Sequence, residues 1–210
     1  MNCKARKAGG IPYFKEETMI RIEGDKIYLK TCTRDEYHEH YKSYVTDPIM
    51  DPNTYIYDKE KVDKKYDSII EKESWYPRVG IFLRDGRIIG ELSFKRIDYE
   101  KSRCELGIAL ANNDYKGLGY GTEAVKLAID YVFNTLKLKC IYADTMGSNK
   151  RMKSIFDKFA FGFINREEHF YDMHDRWEDK LNYILRNPEA TVLTKEDDNM
   201  GEKNERVDIK

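Results

Sequence analysis

No apolar run in this chain approaches the roughly 20 residues that a membrane-spanning helix needs. The basic N-terminal stretch Met1–Gly10 lacks the apolar centre of a signal peptide. Cysteine is scarce: Cys3, Cys32, Cys104 and Cys140 stand far apart, with no Cys-x-x-Cys pair. They read as free thiols in a reducing, cytoplasmic compartment. An excess of one charge is also missing, because 37 basic residues face 38 acidic ones. That balance gives no electrostatic case for nucleic acid or an anionic membrane as partner. Histidine is too sparse for a metal centre. His38 and His40 lie two apart on a helix and point to different faces, and His169 and His174 flank a strand end without a carboxylate pattern. No metal is expected, and no internal repeat is present.

What the chain does have is the material of one α/β domain with a sizeable core. Residues 1–25 show mixed charge and no periodicity, and read as a loose extension. A strand is predicted over Ile27–Cys32. Thr33 and Glu36 form a capping box that opens a helix over Arg34–Tyr44. Pro48 and Pro52 make Asp47–Asp58 a loop, and Val62–Lys72 returns to helical spacing. Strands over Val79–Arg84 and Arg87–Ile97 flank Asp85-Gly86, a tight-hairpin signal. A further strand, Cys104–Leu110, puts Leu106, Ile108 and Leu110 on one face and Glu105, Gly107 and Ala109 on the other. A helix from Gly121 to Leu136, a strand Cys140–Thr145, a helix Asn149–Phe159 and strands Phe163–Tyr171 and Trp177–Leu185 complete the order. The sum is an α/β (α+β) domain over 26–187. It has a single mixed, mostly antiparallel sheet with helices on both faces. The polar residues 188–210 read as a disordered charged tail.

The most informative segment joins strand Cys104–Leu110 to the next helix: Lys116-Gly117-Leu118-Gly119-Tyr120-Gly121-Thr122. Three glycines at alternate positions let the backbone approach a ligand closely. The helix start then offers unpaired N–H groups and the positive dipole end to a phosphate. The spacing is not Gly-x-Gly-x-x-Gly, and no Gly-Lys-Ser/Thr follows, so nucleotide phosphate loops fit poorly.

With strand, loop and helix in this order, the chain resembles the GNAT superfamily of acyl-CoA-dependent N-acetyltransferases. That family's signature is Gln/Arg-x-x-Gly-x-Gly/Ala, and Lys116 stands here for the Gln or Arg. Thr122-Glu123-Ala124 and Asp175–Leu181 resemble the branch of ribosomal-protein N-terminal and spermidine acetyltransferases. A second motif runs from Asn149 through Ser154–Phe161, with Ala160-Phe161 where Gly-Phe is usual. The resemblance implies the GNAT fold, splayed between its fourth and fifth strands, Cys104–Leu110 and Cys140–Thr145. It implies acetyl-CoA as co-substrate, its arm bonded to backbone near Ile108, Ala109 and Leu110 like an added strand. The pyrophosphate would sit on the amides from Gly117 through Leu118, Gly119, Tyr120 and Gly121 to Thr122, with Asn149 touching the arm. The acceptor would be a small-molecule or peptide amine, and a homodimer is a family-level expectation.

Acetyl transfer needs an amine that has lost its proton, and donors for the developing oxyanion. A strand amide near Ile108 or Ala109 suits the second need. For the base, Glu105 is the first candidate: a charged residue in a buried-looking strand, beside Gly107 and Ala109, where a substrate has room. An edge position, or an ion pair with Arg103 or a neighbouring Lys, is the structural alternative. Glu91 is the second candidate. The residue matching the family's proton-donating tyrosine is Phe156, so water or another side chain, Tyr142 or Ser154, is left to protonate the thiolate. Tyr41, Tyr44, Tyr55, Tyr57, Trp75 and Tyr76 either surround the substrate or pack helices on the sheet, and Asp47, Asp51 and Asp58 would attract a cationic amine. A non-catalytic acyl-CoA sensor or scaffold is the competing reading, supported by Phe156, Lys116 and Ala160.

Overall fold

The computed structural model describes residues 20–71 and 78–190. Most of both tails, with Trp75 and Tyr76, lies outside them. Eight strands form one sheet in the order β1-β2-β3-β4-β5-β6-β8-β7. They are β1 (Arg21–Glu23), β2 (Ile27–Thr31), β3 (Arg78–Leu83), β4 (Ile88–Asp98), β5 (Arg103–Leu110), β6 (Cys140–Met146), β7 (Gly162–Asp172) and β8 (Trp177–Arg186). Every neighbouring pair is antiparallel except β5 with β6. The helices are α1 (Arg34–Ser43), α2 (Lys59–Glu71), α3 (Tyr120–Asp130) and α4 (Lys150–Lys158). No helix among the described residues is long and apolar enough to cross a membrane.

The expected loose extension over 1–25 is corrected at its C-terminal end. Arg21–Glu23 pairs with Tyr28–Lys30, and Ile20 is buried in the core beside it. Three residues alternate too briefly to signal a strand. The expected capping box is present in full, with Glu36 N donating to Thr33 Oγ1 and Thr33 N to the Glu36 carboxylate. The second helix begins earlier than its apolar spacing suggests. Asp58 accepts from Lys61 N at 3.1 Å and caps the turn ahead of Val62. Asp63 then ties α2 to α1: its carboxylate receives the Lys59 ammonium, the His38 ring and the Arg34 guanidinium, which together hold it well below the usual carboxylate range. The third helix changes pitch. Beyond Asp130 the chain continues as a π turn over Tyr131–Thr135, with Leu136 N bonded to Tyr131 O.

Strand alternation distributes the helices to the two faces. Glu91 faces α1, where Tyr41 meets it, while Leu92 enters the cluster that holds Ala124, Val125 and Ala128 of α3. Ile81, Phe94, Leu106, Ile141 and Phe156 belong to the same buried cluster. Burying each such side chain contributes about 1.5–3 kcal/mol. α1 and α2 add a smaller cluster of Tyr37, Tyr41 and Val62 on the opposite face.

The end of α4 carries strain. Ala160 N donates to Asp157 O and Phe161 N to Phe156 O, and the Phe156 and Phe161 rings lie 5.0 Å apart. This is a Schellman closure, which wants a left-handed residue after the cap, and Ala160 obliges with φ of 56°. A non-glycine residue in that conformation costs about 1–2 kcal/mol. Ala160→Gly is therefore expected to stabilise the fold by about 1 kcal/mol. Urea unfolding of the two proteins checks this, and a destabilised variant would mean that the Ala160 methyl outweighs the strain.

Candidate active site

The pairing of β5 with β6 covers only Arg103–Glu105 against Cys140–Tyr142. Beyond Glu105, β5 stays with β4 as far as Leu110, while β6 stays with β8 as far as Met146. The two strands part, as expected of the splay. The direction of the backbone groups follows from two anchors. Ala111 N donates to Ile89 O, and the Ser102 carbonyl on the other edge accepts from Cys140 N. Alternation then turns the amide and carbonyl of Ala109 toward Glu91 on β4, and those of Ile108 and Leu110 into the opening. Of the three expected strand contacts, Ile108 and Leu110 turn their backbone groups into the opening, and Ala109 turns its own toward β4.

The opening leads to the glycine loop. Gly117 and Gly119 have φ of 77° and 89°, a conformation that side-chain-bearing residues adopt only with strain. Gly119 caps α3 with no side-chain bond, and the first helical bond is Glu123 N to Gly119 O. The amides of Tyr120, Gly121 and Thr122 precede it and point out of the helix end. Leu118 is exposed, and its carbonyl receives the Lys26 ammonium at 3.2 Å. Lys26 reaches this loop from the β1–β2 turn, and no local motif in the sequence announces it. Across the opening, Asn149 Oδ1 caps α4 by accepting from Met152 N at 3.1 Å. Its neighbour Ser148 has a buried hydroxyl without a hydrogen-bond partner among the described residues. An open strand edge, a ring of helix-end amides and an orphaned hydroxyl suit a ligand that carries amides and phosphate.

Lys116 does not hang freely over the loop. Its ammonium meets Asp47 Oδ2 at 2.6 Å, and Arg151 of α4 approaches the same oxygen at 3.5 Å. Burial alone would raise the Asp47 carboxyl. The Lys116 hydrogen bond, the Ile49 amide and the charges of Lys116 and Arg151 outweigh it and hold the group below its usual range. Asp47 thus pins the loop after α1 to both walls of the opening.

The two carboxylate candidates differ in setting. Glu105 lies at the last paired position, opposite Tyr142, with its side chain 17% exposed. Arg96 Nη1 holds one oxygen at 2.7 Å and Lys95 Nζ stands 3.7 Å from the other. Arg96 reaches it from an irregular stretch of β4, at φ of 49°. The expected room beside Gly107 is corrected: a Cβ there would lie 2.9 Å from Ser93 Oγ and 3.2 Å from Lys95 Nζ, so cross-strand side chains fill that space. Glu91 lies opposite Ala109, alongside the open stretch of β5. Tyr41 OH donates to its carboxylate, at 3.2 Å from each oxygen.

Around Glu91 the aromatic residues gather. The Tyr41 ring is 5.8 Å from Tyr55 and 6.3 Å from Tyr44, and Tyr44 stands edge-on to Tyr55 at 5.2 Å. Burial raises the Tyr44 hydroxyl above its usual range, and the charges of Asp51, Glu91 and Asp47 add to it. His40 is 1% exposed, and burial holds its imidazole below the usual range. Among the thiolate-protonating candidates, Tyr142 is half-buried on β6, whereas Ser154 lies on the exposed face of α4. Phe156 is fully buried, 4.5 Å from the Tyr183 ring.

A parted parallel strand pair ending in a glycine-turned helix start agrees with what known proteins share with this chain. The family model for the acetyltransferase (GNAT) domain matches residues 26–162. The chain belongs to the GNAT acetyltransferase family. It is 32% identical over 127 residues to a probable N-acetyltransferase, YjcK, of Bacillus subtilis, covering 60% of this chain and 69% of the relative. It is 26% identical over 101 residues to the spermidine N(1)-acetyltransferase of Escherichia coli, spanning 54% of that protein. In structure it is similar to ribosomal-protein-S5-alanine acetyltransferase from Vibrio fischeri. The TM-score is 0.71 at 16% identity, covering 81% of this chain and 98% of that one. The last likeness is one of fold. No group of three or more metal-ligating side chains occurs among the described residues.

The Asp47 bridge gives a pH-dependent expectation. A carboxyl held low in the folded state contributes its full stability above the unfolded value, about 3.9, and loses it as pH falls through the folded value. Asp47→Asn is expected to cost about 1–3 kcal/mol at pH 7. The gap to the wild type should close as the pH is lowered past about 4. Thermal melts of both proteins from pH 7 to pH 3 read this out, and a constant gap would exclude the charge as its source.

Proposed function

We propose that the protein transfers an acetyl group from acetyl-CoA to a primary amine by direct attack in a ternary complex, the unit of function spanning residues 26–187. The observation that carries this is the parting of β5 from β6 after three residue pairs, with Ile108 and Leu110 turned into the gap and the gap closed by the glycine loop. Acetyl-CoA supplies an activated thioester. The chain's own groups do the rest. Ile108 and Leu110 align the acyl arm as an added strand, and the amides of Gly119–Thr122, with Lys26 and Lys116 beside them, take the diphosphate charge. The Ile108 amide is placed to stabilise the oxyanion. Glu91 takes the proton from the acceptor amine, because it stands alongside the open stretch and is bonded by the phenol of Tyr41. Glu105, held by Arg96 and Lys95, fixes the floor of the opening. Tyr142, half-buried on β6 opposite Glu105, is assigned the protonation of the leaving thiolate.

The test is a calorimetric and thermal-shift titration with acetyl-CoA on wild type and Gly119→Glu, joined to thiol release across polyamines, N-terminal peptides and aminoglycosides. At a hundredfold excess over Kd, acetyl-CoA is expected to stabilise the wild type by about 2.7 kcal/mol. A folded Gly119→Glu protein should lose that response, because a carboxylate and a side chain at φ of 89° enter the phosphate cradle. A wild type that neither binds acetyl-CoA nor releases thiol would sink the proposal.

The roles of the carboxylates separate kinetically. Glu91→Gln is expected to lower kcat/KM by about 10²–10⁴-fold and abolish the acidic limb of its pH profile. Glu105→Gln should lower stability and retain that limb. The reverse pattern would return the base role to Glu105.

A further inference from the structure

Three cations stand over tyrosine rings of α1 and α2 or the loop between them: Arg34 over Tyr66, Lys42 over Tyr57 and Lys65 over Tyr41. The third differs in what lies beneath it. The Lys65 ammonium sits 4.5 Å from the Tyr41 ring centroid and donates to the Tyr41 hydroxyl at 2.5 Å. The same hydroxyl donates to both oxygens of Glu91. A line of contacts therefore runs from an ammonium on the exposed side of α2, through a phenol, to a carboxylate alongside the open stretch of β5. Tyr44 and Tyr55 flank the phenol, and the Asp51 and Asp47 charges reach the same group of rings.

This is the set of partners that recognises an alkylammonium: an aromatic face, a hydroxyl acceptor and carboxylates behind it. The chain fills it with an alkylammonium of its own. On the reading that the Glu91 face receives the acceptor, we infer that Lys65 is a specificity-determining residue. It is an internal competitor that occupies the Tyr41 face and must be displaced by the acceptor's ammonium. Held on the Tyr41 ring and bonded to its hydroxyl, Lys65 acts by occupancy and is not itself acetylated. The class of acceptor follows. It is an aliphatic amine with a flexible methylene stem, able to lay its ammonium where Lys65 lays its own. Displacing a resident cation costs affinity for every such amine and leaves acetyl-CoA binding unchanged.

Amine binding tests this without relying on turnover. Spermidine and n-butylamine are titrated calorimetrically into wild type, Lys65→Met, Lys65→Arg and the double variant Lys65→Met/Tyr41→Leu, with Lys65→Gln as a second removal of charge and thermal melts to establish folding. Lys65→Met and Lys65→Gln are expected to bind both amines about tenfold more tightly than wild type. Lys65→Arg should match wild type, and the gain should vanish when Tyr41 is also replaced. Unchanged or weaker binding in Lys65→Met, a gain that survives Tyr41→Leu, or binding of neither amine to any variant would overturn the inference. An acetyl-CoA titration of the same proteins keeps the two readings apart. Acetyl-CoA binding without the gain removes the role of Lys65 and keeps the proposed activity. The gain without acetyl-CoA binding keeps the ammonium site and removes the activity.

Discussion

The site depends on a hydrogen-bond register that stops. Two parallel strands share three residue pairs and then each follows its other neighbour. A buried strand edge with unpaired amides and carbonyls is costly. Here the cost is confined to Ile108 and Leu110 on one side and to the upper part of β6 on the other. Everything around the gap keeps it from closing. The buried cluster on the α3 side, from Ile81 and Phe94 to Phe156 and Tyr183, fixes the strands at the angle at which they leave one another. The glycine loop closes the end, and Asp47, bonded to Lys116 and near Arg151, spans the mouth from wall to wall.

Charge placement around the gap is uneven in a useful way. Cations gather where a diphosphate would lie, with Lys26 on the Leu118 carbonyl and Lys116 beside the helix start. Carboxylates gather on the opposite face, where Glu91 meets Tyr41 and where Asp47 and Asp51 influence Tyr44. A nearly neutral chain therefore separates charge locally, which whole-chain composition hides.

Local rules carried the sequence reading far. Thr33 and Glu36 announced their helix because the capping box lies within one turn. The alternating glycines announced the loop ahead of α3, where Gly117 and Gly119 take a positive φ, and Asp85-Gly86 announced the hairpin, with Gly86 at 92°. The stripe Met152, Ile155, Phe156, Phe159 placed α4 and its buried face. What escaped depends on neighbours distant in the chain. Gly107 looked like open space until Ser93 and Lys95 were seen to lie across it. The bond of Lys116 to Asp47, 69 residues away, has no local signal either. His38 and His40 are both buried on α1, which their spacing along the chain does not show. The strand Arg21–Glu23 escaped because three residues carry no period.

The narrow seam between Arg103–Glu105 and Cys140–Tyr142 has a mechanical meaning. Among the described residues it is the one backbone ladder joining the five-stranded half of the sheet to the three-stranded half. Two plates joined along so short a line have one natural axis of bending, which the buried cluster restrains. Slow breathing of the plates would be largest at Leu110 and Met146 and smallest at Glu105 and Tyr142. A guest strand laid between the plates would act as a splint, so the fold would stiffen when the gap is filled and loosen when it empties.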